Sequence, residues 1–214
     1  MNTHKLISLG LVLPMACLQL SCSNPEFDND IPQNFSNDPV KQVAGTFDNL
    51  NITEKSIGKA IIGMSLDELR QVYSDCTFEE RPVHEYGIDG ESNGLLVIRG
   101  SKPFLFAWTN DGEDRIKGLV AIADNLSTPN GYKVGMTSGE ILQKCPQCYV
   151  SPDMLDSRIE YVPLPGKEIR LEFLTTDSTR IGHYRYYDAE PKSRILKPDF
   201  KVARISIIAG EEMQ

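Results

Sequence analysis

The chain has 214 residues, enough for one domain with a real core, and 40% of them are apolar. Its formal charge of −8 sets it against phosphate backbones, which argues against a nucleic-acid partner. No pattern for binding a nucleotide phosphate, no His-Glu-x-x-His pair and no Gly-x-Ser-x-Gly elbow occurs.

In chain order, Met1 to Lys5 carry one lysine and no acid, and an apolar run follows from Leu6 to Leu20. A membrane-spanning helix needs ~20 apolar residues. This run is shorter and holds Pro14, so it reads as the hydrophobic part of an export signal, residues 1–21. Ser21 and Cys22 close the leader, and this junction resembles the lipobox of bacterial lipoproteins. The resemblance implies that Cys22 is diacylated on sulfur, freed by cleavage before it and acylated on its new amino group. Leucine is usual three residues before the cysteine, whereas Gln19 stands there between Leu18 and Leu20. Cys17 is the rival site, but the composition changes directly after Cys22. Each buried methylene contributes ~0.8 kcal/mol, so two or three acyl chains hold a protein on a membrane. If the host sorts lipoproteins as enterobacteria do, Ser23 in place of an aspartate implies the outer membrane.

From Cys22 to about residue 56 the chain is rich in Asn, Asp and Pro and lacks apolar periodicity. It reads as a flexible tether, spanning on the order of 30 Å as a coil. An α+β domain is expected over 57–214. Within it, Gly63-Met64-Ser65 and Gly135-Met136-Thr137 each precede an amphipathic stretch. Ser65 with Glu68, and Thr137 with Glu140, carry the capping-box spacing that starts a helix. Strand-like runs follow each helix: 94–100, 104–109 and 116–123 in the first half, then 158–164, 169–176, 183–188 and 202–209. The expected architecture is therefore two tandem helix-plus-antiparallel-sheet units in one compact domain, at about 57–125 and 131–210.

Residues 115–208 resemble the second half of the enterobacterial RpoE-regulated lipoproteins. The carrying residues are Arg115 to Asp124, the Gly131-Tyr132-Lys133-Val134-Gly135 turn, Cys148, and Ile195 to Ile208. The resemblance implies an envelope lipoprotein without assigned activity or known catalytic residues. The helix-then-sheet order is more loosely similar to the β-lactamase inhibitor protein and to small outer-membrane assembly lipoproteins. The lipoprotein family implies a later cysteine partner in a strand, which this chain lacks between 149 and 214. Disulfide connectivity therefore stays open.

Cys145-Pro146-Gln147-Cys148 has the C-x-x-C spacing of redox motifs. Those motifs place the thiol at a helix N-terminus, whereas this one follows the expected helix 138–145. A structural disulfide between Cys145 and Cys148 is favoured, with a thiol-redox protein as the alternative function. Cys76 is then left outside the local bridge. His84 and His183 stand a hundred positions apart, and Asp111, Glu113 and Asp114 lack calcium-loop spacing, so no metal or cofactor is expected. The stretch 180–190 interleaves Arg180, His183 and Arg185 with Tyr184, Tyr186 and Tyr187. Arg and Tyr dominate many interfaces, which makes Arg180, His183, Arg185 and Tyr186 candidate partner-binding residues. A plain strand with solvated cations would show the same alternation. The expectation is a non-catalytic, lipid-anchored envelope protein, either binding a partner protein or other envelope component or serving envelope maintenance.

Overall fold

The computed structural model describes residues 50–165, 168–185 and 191–209. Cys22, Tyr186 and the leader lie outside them. The elements are β1 (Ser56–Ile57), β2 (Ala60–Ile61), α1 (Leu66–Val72), β3 (Thr77–Pro82), a short 3-10 helix (Val83–Tyr86), β4 (Asn93–Arg99), β5 (Lys102–Thr109) and β6 (Ile116–Ala121). After them come α2 (Ser138–Lys144), β7 (Ser151–Pro152), β8 (Ile159–Pro163), β9 (Ile169–Leu174) and β10 (Arg204–Ile208).

Both helices start where the capping boxes place them. The Ser65 hydroxyl accepts from the Glu68 amide at 3.1 Å while the Glu68 carboxylate accepts from the Ser65 amide at 2.7 Å. Thr137 and Glu140 repeat the exchange at 3.2 and 2.7 Å. Such a cap contributes about 1 kcal/mol. Leu69 and Ile141, one from each helix, are the side chains driven into the core.

The two expected helix-plus-sheet units do not form. The protein is mostly β, and its long strands make one eight-stranded antiparallel sheet in the order β3-β4-β5-β6-β10-β9-β8-β7, beside the small β1-β2 hairpin. Two features of the residues explain this. Each helix has seven residues, about 10 Å of helix, too short to cover a four-stranded sheet. In addition, nearly every residue of β6 and β10 is buried, on both faces of the strand, so neither suits an exposed sheet edge. They pair with each other, Ile205 opposite Ala121 and Ile207 opposite Leu119. The exposed edges fall to the charged, proline-ended β3 and to the two-residue β7, both poor templates for further pairing.

Successive side chains on these strands point to opposite faces. Leu95, Val97, Leu105, Leu119, Leu171, Phe173, Ile205 and Ile207 enter the main core with Leu69 and Ile141. Leu96, Phe106, Trp108 and Val120 form a second cluster on the other face, covered by Val83 and Tyr86. Gly118 admits the Trp108 indole there, since a Cβ at that position would lie 1.9 Å from the ring.

Two further expectations change. Residues 50–56, read as tether from their composition, belong to the fold: Ile52 is fully buried and its amide donates to the Ser127 carbonyl at 2.8 Å. The run 183–188 is not a strand over its described residues 183–185. Its tyrosine at 184 is held by a carboxylate instead, as described next.

Candidate binding site

β8 sends alternate residues to the two faces of the sheet, and each face gains a different structure. Glu160 and Val162 turn toward the main core. The Glu160 carboxylate, with no exposed surface, accepts from the Ile181 amide at 2.8 Å, the Gly182 amide at 3.0 Å and the Tyr184 hydroxyl. A buried carboxylate is costly unless hydrogen-bonded, and these three donors satisfy it. They also fix the conformation of residues 181–184.

Tyr161 and Pro163 face the other way, into a cavity of about 410 Å³ walled by Tyr149, Met154, Arg170 and Lys192. The Arg170 guanidinium lies over the Tyr161 ring, 4.7 Å from its centroid, and the Lys192 ammonium lies 5.3 Å from that of Tyr149. Among the described residues neither cation forms an ion pair. Glu172, opposite Tyr161 in the β8–β9 register, could have neutralised Arg170. It is instead occupied by the Arg204 guanidinium and by the Ser206 hydroxyl. Arg204 goes on to donate to the carbonyls of Glu85 and Tyr86 at 3.2 and 2.9 Å, tying the short helix across this face. Glu168 is the acid on the groove wall. A smaller cavity of about 270 Å³ shares Pro152 and Met154 with the first and reaches Arg180.

The residues singled out from sequence do not form one surface. The Arg180 side chain is largely enclosed, 16% exposed, and pairs with Asp177 at 3.2 Å. His183 and Arg185 are exposed, Tyr184 is buried on Glu160, and Tyr186 lies outside the described residues. The Arg and Tyr chemistry expected of that stretch is gathered by Tyr149, Tyr161 and Arg170, which sit at separate places in the sequence. Two signals pointed to them: the alternation along β8, and an arginine between the apolar residues Ile169 and Leu171.

Cys145 and Cys148 are joined by a disulfide with Cα atoms 5.3 Å apart. Both are buried in the main core, Cys145 directly after the last residue of α2. That position gives the thiol-redox alternative no support. Cys76 is a free thiol. Burial pushes its pKa up, against the pull of the nearby Arg99 guanidinium. Among the described residues no three His, Cys, Asp or Glu side chains group to hold a metal ion, and no helix is long and apolar enough to cross a membrane.

No family model and no curated protein matches the chain. Among solved structures it is similar to the uncharacterized protein YfeY from Escherichia coli, at 14% identity and a TM-score of 0.48, over 74% of this chain and 99% of that one.

Proposed function

We propose that the protein is a bacterial envelope lipoprotein, anchored in the outer membrane through acylated Cys22, that acts by binding a protein partner and not by catalysis. The observation that carries the binding reading is the groove beneath β7 and β8. Two tyrosines and two cations line it, and the acid opposite is already engaged by Arg204. Aromatic rings and arginine in a partly enclosed groove supply large contact area at small entropic cost, the usual make-up of an interface anchor. The export-type leader and the Ser21-Cys22 junction support the anchor. In cells fed a palmitate analogue, the wild-type chain should be labelled and partition with outer membranes. The Cys22→Ala chain should carry no label and either leave the membrane fraction or stay unprocessed. Undiminished labelling of Cys22→Ala would refute the anchor.

A further inference from the structure

Two cations and one acid, Glu168, line the groove among the described residues. The chain carries 30 carboxylates against 22 lysines and arginines, so a cation on its surface has no shortage of partners. Arg170 and Lys192 nevertheless rest on tyrosine faces, and among the described residues neither meets an acid within ion-pair distance. Met154 on the groove wall is 72% exposed, and Leu155, on the smaller adjoining cavity, is 67% exposed. We infer that the groove takes an extended acidic peptide segment of a partner protein, carboxylates alternating with apolar side chains. This rests on the binding role proposed above and adds the chemistry of what is bound.

Each part of the segment has a counterpart. A carboxylate reaches the Arg170 fork, which can donate two hydrogen bonds to it in the bidentate manner that favours arginine over lysine. A second carboxylate meets Lys192, and the apolar side chains between them cover Met154 and the Tyr149 ring. Glu168 on the wall can accept a hydrogen bond from a peptide N–H between the two carboxylates. A volume of about 410 Å³ holds a few side chains, as short peptide motifs require.

The test uses the full-length protein in detergent micelles and an acetylated octapeptide alternating glutamate with leucine, carrying a fluorophore for anisotropy. The glutamate peptide should bind, weaken with added salt, and bind at least about tenfold more weakly to the Arg170→Gln, Lys192→Gln variant. The Lys102→Gln variant, an exposed cation on β5 outside the groove, should bind as wild type does. Lys192→Gln alone, at an exposed position, serves as a second variant and should show a smaller loss. Equal binding of a lysine–leucine octapeptide, no binding of either peptide, or indifference to the double variant would overturn the inference. Soluble dihexanoyl phosphatidylglycerol separates the failures. If it binds through Arg170 and Lys192 and the glutamate peptide does not, the groove is a binding site for anionic lipid and the peptide is wrong. If the double variant alters the binding of neither probe, the binding role of the groove falls as well.

Discussion

The Tyr184 hydroxyl donates to Glu160 across 24 positions of sequence, and Glu160 has no surface of its own exposed. With the Ile181 and Gly182 amides, this bond turns a buried acid into the anchor of an otherwise irregular segment. Removing the carboxylate strands two amides, each costing about 1–3 kcal/mol when buried without a partner. Glu160→Ala should therefore lose about 3 kcal/mol or more in urea denaturation, and Tyr184→Phe about 1–2 kcal/mol. His183→Ala, next to Tyr184 but exposed, should stay within about 0.5 kcal/mol.

Ile52 ties the segment before β1 into the fold, being buried and hydrogen-bonded to Ser127. Ile52→Ala should cost about 2–5 kcal/mol, as core truncations of this size do. A chain that starts at Ile57 should melt markedly lower than the full-length chain, which calorimetry on the two would show.

The capping carboxylates make stability depend on pH. Hydrogen bonds from Ser65 to Glu68, and from Thr137 to Glu140, hold both pKa values below the ordinary carboxylate range. A lowered folded-state pKa gives stability that is fully present above the unfolded value and is lost as pH falls through the folded one. The melting temperature should therefore drop on acidification. Glu68→Gln with Glu140→Gln keeps a side-chain acceptor at each cap and removes the charge, so it should flatten that part of the curve.

Among the described residues Cys145 and Cys148 are bonded, and Cys76 is a partly buried free thiol. Cys76, its pKa raised, should react with iodoacetamide at pH 7 more slowly than free cysteine and speed up as pH rises. Reduction of the Cys145–Cys148 bridge should cost less than the typical ~2–4 kcal/mol, because so short a loop removes little entropy from the unfolded chain.

Local signals in the sequence were reliable guides to local structure. The capping residues placed both helix starts, and the apolar runs gave β4, β5, β6, β8, β9 and β10. The union of the strands into one sheet was not legible, because it rests on Ile205 meeting Ala121 and Ile207 meeting Leu119. No turn or spacing signal links residues so far apart. β3 was missed because Glu79, Glu80, Arg81 and Pro82 have the composition of a loop, which suits an exposed edge. The stretch 183–185 read as a strand because its alternation is real. Glu160, a lone acid in an apolar run, decided its conformation instead. The groove stayed hidden for the same reason as the sheet: Tyr149, Tyr161, Arg170 and Lys192 meet only after β7, β8 and β9 have paired.

A protein partner held in the Tyr149–Tyr161 groove is the central claim, and photo-crosslinking in the envelope tests it most directly. A benzophenone side chain replaces Tyr149 in the full-length, membrane-anchored protein, and in a parallel chain it replaces Glu79 on the β3 edge. The account predicts a discrete protein adduct from position 149, lost when Arg170→Gln and Lys192→Gln are added, and no such adduct from position 79. An identical adduct from position 79, or one from position 149 that survives the loss of both cations, would contradict it.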